Sequence, residues 1–191
     1  MKPFFSKFLL RIGILLQKFL ANTNKSIFFH ELKKNPNSEI SNHIKLGKNT
    51  HYLISKDAIM KWKDNIEIRN SCNFVAGKNA ELIINNNVFF NNYCSVNCLE
   101  KIIIGENTLF GEGVKLYDHN HQYSKEKIEH QEFNTSPIII GKNCWLGSNV
   151  IVLKGVAIGD NSIIGAGCII YKDVPADSII INKQDLGIKP I

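Results

Sequence analysis

The run Tyr117-Asp118-His119-Asn120-His121 places two imidazoles and a carboxylate within a few residues. Histidine is the side chain whose charge changes nearest neutral pH, so this run has the makings of a general base for moving a hydroxyl proton. It also reads as part of a metal site. His-x-His can supply two zinc donors, but a third would have to come from His130 or further away, a poor spacing for zinc. The plainest reading is a pair of histidines tolerated in a polar loop.

The surroundings favour the chemical readings. The stretch HNHQYSKEKIEHQEFNTS is polar, whereas the chain on either side is regularly apolar. A loop of this length on a rigid scaffold is a common location for function. It is expected to leave the scaffold over about residues 118–137 and to return at Pro137 and Ile138-Ile139-Ile140.

The scaffold is legible as a repeat. From Ile140 the chain divides every six residues into IGKNCW, LGSNVI, VLKGVA, IGDNSI, IGAGCI and IYKDVP. The first position is aliphatic throughout: Ile140, Leu146, Val152, Ile158, Ile164 and Ile170. The second is glycine in Gly141, Gly147, Gly159 and Gly165. The fourth is Asn143, Asn149, Gly155, Asn161, Gly167 and Asp173, the residue types that best tolerate positive φ, so each unit carries a tight turn. The fifth is small or β-branched. One aliphatic and one small residue facing inward per unit, with a turn between, describe a coil of short parallel strands, an all-β solenoid. The same frame recurs from Ile104, Phe110 and Leu116, and more loosely from Ile84, Phe90 and Val96 and from Leu46, Ile68 and Phe74. The breaks between blocks predict irregular turns there. Cys72, Cys94, Cys144 and Cys168 fall on the small inward position and Cys98 lies nearby, so the five cysteines read as core filler. Their odd number, with no export signal, points to a reducing cytoplasm.

The chain has 191 residues and a formal charge of +6, unevenly spread. Residues 1–48 hold nine Lys/Arg against two acids, and residues 49–191 hold fourteen against fifteen. A basic end on a neutral body argues against nucleic acid as the partner. Residues 1–45 are set apart as a basic amphipathic segment, followed by the coil at 46–176 and a tail at 177–191. Within the segment Phe4, Phe5, Phe8, Leu9, Ile12, Leu15, Leu16 and Phe19 share a helical face, with Lys7, Arg11 and Lys18 largely off it. Only six uncharged residues separate Arg11 from Lys18, far short of the roughly 20 that a spanning helix needs. Such a helix packs on its own protein or a neighbouring subunit, or lies on an anionic membrane surface through residues 1–20.

Together, IIIGENTLFGEGVKLYDHNH and PIIIGKNCWLGSNVIVLKGVAIGDNSIIGAGCIIYKDVP resemble the hexapeptide-repeat acyltransferases, within them the maltose, galactoside and polysaccharide O-acetyltransferase branch. The likeness covers roughly residues 66–176. It implies a left-handed parallel β-helix of three strands per turn, built as a homotrimer with sites between subunits, and acetyl-CoA as donor with no metal. The family's catalytic histidine matches His119, with His121 as the fallback. Asn92 matches its active-site asparagine, with Asn91 and Asn97 close by, and Asp118 and His121 are expected at the acceptor. Acetyl-CoA contacts carry over to Trp145, Gly147, Ser148, Ala166, Tyr171 and Lys172. The sequence after the coil, ADSIIINKQDLGIKPI, departs from the family's usual ending, and Lys183 or Lys189 would have to serve the nucleotide end instead.

The implied function is acetyl-CoA-dependent O-acetylation of a sugar hydroxyl in making a bacterial surface polysaccharide, in the cytoplasm and at the inner face of the membrane. N-acetylation of a nucleotide-linked amino sugar, a non-catalytic trimeric platform and a zinc hydratase on the same scaffold remain as alternatives.

Overall fold

A computed structural model describes residues 2–183, except for the side chains of 2–6, 17–18, 20–25, 31 and 33–34. Phe4 and Phe5 of the expected apolar face, and the end of the tail with Lys189, lie outside the described residues.

The repeat folds as a left-handed parallel β-helix of about six turns, as expected. Three parallel sheets form its walls. The first runs from Ser38–Ile40 through Ile59–Trp62, Glu81–Ile84, Lys101–Ile104 and Ile138–Ile140 to Ala157–Ile158. The second runs from Lys45–Leu46 to Ile179–Ile180, and the third from His51–Ile54 to Ile169–Ile170. Ser38–Ile40 already pairs in register with Met60–Trp62, so the coil starts upstream of the expected residue 46. At the other end Ile179–Ile180 pairs with Ile163–Ile164, which takes part of the expected tail into the wall.

The inward positions make one continuous core. Ile104, Phe110, Leu116, Ile140, Leu146, Val152, Ile158, Ile164 and Ile170 are all buried, as are all five cysteines. The thiols do more than fill space. Cys72 donates to the Asn91 carbonyl, Cys94 to that of Gly111 and Cys144 to that of Gly159, each onto the next turn of the coil. Thr108 and Ser162 make the same kind of bond to Gly141 and Pro175.

The turn between the first and second sheets carries a file of asparagines in the left-handed region: Asn65, Asn87, Asn107, Asn143 and Asn161, closed by Asp177. Each asparagine amide donates to the side-chain oxygen of the next, at 2.9–3.2 Å. Asn is the non-glycine residue best suited to positive φ, and its amide can both donate and accept along a stack. Asp177, an acceptor only, ends the file; Asp173, where the repeat predicts a turn at another corner, does not take positive φ. Successive members are 22, 20, 36, 18 and 16 residues apart. The longer early turns explain why the six-residue frame loosens upstream, where strands of four residues replace strands of two. The separation of 36 holds the excursion after Tyr117.

That excursion is a β-hairpin rather than an irregular loop: His119–Tyr123 pairs antiparallel with Ile128–Thr135. At the opposite end, helix α1 (Lys2–Lys34) closes the coil. Among the described side chains, those buried against the coil lie in its last turns. Phe28 and Leu32 are fully buried, and Phe28 begins a file of aromatic rings through Trp62, Phe74, Phe90 and Phe110, with centroids 4.7–5.7 Å apart. Asn35 Nδ2 then donates to the Ala58 carbonyl at 2.6 Å, tying the helix end to the first full turn. A solenoid needs such a cap, because its terminal turn otherwise leaves core facing water.

Candidate functional site

Three corners join the three sheets, and the chemistry expected from the sequence divides between two of them.

At the corner from the third sheet to the first, the hairpin leaves the coil at Asp118. This carboxylate is fully buried. Its Oδ2 accepts the backbone N–H groups of Leu99, Glu100 and Lys101 at 3.0, 2.8 and 2.9 Å, and its Oδ1 accepts that of Leu99 at 2.8 Å. A corner of the preceding turn is thus wrapped around one side chain. A buried charge is tolerable only with such compensation. The sequence reading put Asp118 in contact with an acceptor, and its burial corrects that: no oxygen is open to a ligand.

Its remaining partner is the base candidate. His119 Nδ1 lies 3.0 Å from Asp118 Oδ1. A carboxylate only accepts, so Nδ1 carries the proton and Nε2 presents a lone pair. The ring is largely enclosed, with 17% of its side chain exposed. Tyr117 and Phe133 meet it edge-on at 6.3 and 5.2 Å. Among the described residues no hydrogen bond engages Nε2.

His121 points to the same face of the hairpin, two residues on, and its ring lies 4.7 Å from Phe133. Its Nδ1 donates to the Glu129 carbonyl at 3.0 Å. The side chain is exposed and has no carboxylate behind it, which separates it from His119. With Nδ1 of both histidines committed to protein acceptors, only their Nε2 atoms are left to meet a ligand. No cluster of three or more potential metal ligands occurs among the described residues.

Phe133 holds both rings in place, and sequence reading missed it. It sits opposite His121 in the hairpin register, a pairing that no local pattern announced. Asn97 also lies nearer this corner than Asn92. It pairs with Tyr117, and its Nδ2 donates to Ser95 Oγ at 2.9 Å.

The same corner continues toward the C-terminus through Gly155, whose N–H donates to the Ser136 carbonyl, to Tyr171 and Lys172. Tyr171 is exposed, and Lys172 Nζ lies 5.7 Å from its ring centre.

The corner from the second sheet to the third gathers a different set. Backbone bonds stack Asn70, Asn92 and Glu112 beneath Ser148 and the Gly165–Gly167 turn. The second-position glycines meet a steric demand here. A Cβ on Gly147 would fall 2.7 Å from Ala166 N, and one on Gly111 would fall 2.6 Å from Ser148 N. Neither glycine has positive φ; the successive turns simply lie too close for a side chain. The resulting wall, with Ser148 and Ala166 exposed along it, is nearly bare backbone. Asn92 serves this corner structurally, its Oδ1 accepting the Asn70 N–H at 3.1 Å. Trp145 opens the same edge from the second sheet, half-exposed beside Leu109 and Ile163.

The third sheet therefore stands between His119, Tyr171 and Lys172 on one side and Asn92, Gly147, Ser148 and Ala166 on the other. One chain does not bring the two sets together.

Comparison with known proteins agrees with this architecture. The family described as hexapeptide repeat of succinyl-transferase matches residues 137–172. A galactoside O-acetyltransferase of Escherichia coli is 42% identical over 78 residues, covering 41% of this chain and 38% of that protein. A putative lipopolysaccharide biosynthesis O-acetyl transferase of the same species is 31% identical over 108 residues, covering 52% and 55%. The chain spans between about two fifths and just over half of the length of these relatives. A variant of the N-acyltransferase AntD from Bacillus cereus, solved with dTDP-4-amino-4,6-dideoxyglucose and coenzyme A, superposes with a TM-score of 0.58 at 15% identity, over 75% of each chain. The chain is thus similar to the hexapeptide-repeat acetyltransferases, most clearly over residues 137–172.

Proposed function

We propose that this protein is an acetyl-CoA-dependent O-acetyltransferase that acetylates a sugar hydroxyl, with His119 as general base. The observation that carries the reading is the Asp118–His119 pair. A buried carboxylate with four backbone contacts fixes one imidazole tautomer at the root of a protruding hairpin, leaving Nε2 as an enclosed, unengaged acceptor. Energy invested in a rigid turn is thereby used to orient a base.

The chemistry follows from that geometry. Nε2 accepts the hydroxyl proton as the acceptor oxygen adds to the thioester carbonyl. The carbon–sulfur bond then breaks, and the imidazolium returns the proton to the departing sulfur, leaving an acetyl ester and a free thiol. Asp118 stabilises the imidazolium between these events, and no covalent enzyme intermediate is needed. Acetyl-CoA supplies the activated acyl carbon. The corner formed by Gly147, Ser148 and Ala166 fits the donor's extended arm, because its wall has been reduced to backbone. Trp145 flanks that edge, and Lys172 offers a point charge for a phosphate.

Because the two corners are divided by the third sheet, a complete site requires a second copy, which supports the homotrimer. The outward file Leu109, Trp145 and Ile179 on the second sheet is apolar and exposed in the single chain, as an intersubunit face would be. Asn92 then acts from the facing subunit on the acceptor or thioester, and His121 lies at the acceptor's approach. The relatives named for galactoside and lipopolysaccharide support a glycan acceptor in surface-polysaccharide synthesis. A lipid-linked acceptor would bring the enzyme to the inner face of the membrane.

The test is thiol release from acetyl-CoA in the presence of sugar acceptors, for the wild type and His119→Ala. General-base catalysis is worth about 10²–10⁴-fold, so the variant should lose that much kcat while keeping its thermal stability and its donor binding. Unchanged turnover in His119→Ala would remove the base assignment. Absence of any donor-induced rise in melting temperature would remove the acyltransferase reading and leave the trimeric platform. Release with amino sugars alone would turn the assignment to N-acetylation.

A further inference from the structure

We infer that the protruding part of helix α1 is a docking device for an anionic lipid surface. Three observations converge on it. The helix has 33 residues, about 50 Å at 1.5 Å per residue, but those of its described side chains that are buried against the coil lie in its C-terminal turns. Phe8, Leu9, Ile12, Leu15, Leu16 and Phe19 are 45–66% exposed. At 3.6 residues per turn they fall in an arc of about 120°. The buried anchors Phe28 and Leu32 point roughly 180° from the centre of that arc, in line with Leu10 and Ile14, which are themselves exposed on the protruding part. The face that fastens the helix to the coil is thus opposite the apolar stripe, and the helix cannot lay the stripe on its own body.

Charge then decides the occupant. In the sequence Lys7, Arg11, Lys18 and Lys25 follow one another at spacings of four and seven, and Lys7 and Arg11 lie within about 40° of each other along one flank of the stripe. Lys7 and Arg11 are exposed. The first acid in the chain is Glu31. A coiled coil with two further copies of the helix would set these basic bands beside the seam with no acidic partners to meet them, whereas interhelical pairing relies on opposite charges at those flanks. An anionic headgroup layer complements both features at once: the stripe enters the acyl boundary and the basic band stays among phosphates. No helix among the described residues is long and apolar enough to cross a membrane, so the contact is one of lying on the surface. This inference stands independently of the acetyl-transfer reading, since neither the helix nor its stripe contributes to the His119 corner.

The experiment is flotation of the full chain with vesicles of phosphatidylcholine alone or mixed with phosphatidylglycerol, at low and high salt. The expected result is partition onto the phosphatidylglycerol vesicles, weakened by salt. Each Lys or Arg near such a surface contributes about fivefold, so Lys7→Gln with Arg11→Gln should weaken binding on the order of 25-fold without changing the melting temperature. Ile12→Asp with Leu15→Asp should abolish it. Equal binding to both vesicle types, or none to either, would overturn the inference. So would a fall in the sedimenting mass of the aspartate variant without vesicles, which would give the stripe to neighbouring copies instead.

Discussion

Replacing Asp118 by asparagine separates the two tasks that this carboxylate performs. Oδ2 accepts three backbone N–H groups, whereas Oδ1 accepts the Leu99 N–H and His119 Nδ1. In Asp118→Asn the amide oxygen belongs where three donors converge, because an NH₂ there would leave them all unpaired. The NH₂ is then placed where Oδ1 was, and it donates to His119 Nδ1. That nitrogen must become the acceptor, so the proton moves to Nε2 and the proposed base is blocked. In a Ser-His-Asp hydrolase the same change lowers kcat about 10⁴-fold through the wrong tautomer, and a general base is worth about 10²–10⁴-fold here. The variant should therefore lose on the order of 10²–10⁴ in kcat with the acetyl-CoA KM nearly unchanged. Loss of charge-assisted bonds should cost about 1–3 kcal/mol of stability, so the protein remains folded. Asp118→Ala is different in kind: it leaves three buried N–H groups without acceptors and should cost roughly 3 kcal/mol or more. Nitrogen-15 spectra of the imidazole provide the readout that a purely structural role would not move, with the proton on Nδ1 in the wild type and on Nε2 in Asp118→Asn. A variant with the Nδ1 proton retained, or with wild-type kcat, would refute this reasoning.

Other outcomes follow from the corners and the core. Gly147→Ala places a methyl 2.7 Å from a backbone nitrogen of the next turn, and should destabilise by about 1–3 kcal/mol, read from the urea midpoint. In the asparagine file, Asn107→Gly should lose only the stacking bonds, whereas Asn107→Ala must also hold positive φ and should be less stable than the glycine variant by about 1–2 kcal/mol. Burial, with the Asp118 carboxylate beside it, pushes the Cys98 thiol well above its ordinary range, and contact with Cys72 together with burial does the same to Cys94. A group whose folded pKa is raised contributes stability below its unfolded pKa, about 8.5 for cysteine, and that contribution disappears as pH rises through the folded value. Stability should therefore decline above about pH 8.5, with a shallower slope in Cys94→Ala and Cys98→Ala, and neither thiol should react with an alkylating reagent in the folded protein at neutral pH.

The six-residue period was sufficient for the wall of this protein. An aliphatic at Ile140, Leu146 and Val152, a small residue at Cys144 and a left-handed turn at Asn143 and Asn149 are each local requirements, and repetition makes them global, because every turn of a solenoid packs only on its neighbours. The DHNH run stood out as a candidate site for a similar reason: its residue types are rare at a strand end in a chain of apolar units. The role of Asp118 was not legible, because its partners at Leu99, Glu100 and Lys101 arrive from the preceding turn, and the sequence shows only an acid beside a histidine. Phe133 was hidden behind the hairpin register, and the 22-residue early turns behind strands too long for the six-residue frame. Where helix α1 points was equally undetermined. Its amphipathic stripe was visible from residue types, but only the seating of Phe28 and Leu32 on the opposite side shows that the stripe is turned away from the coil. The periodic part of this protein depends on interactions between equivalent positions, which a sequence displays directly. The site depends on contacts between turns and across a hairpin, which exist only after the chain has coiled.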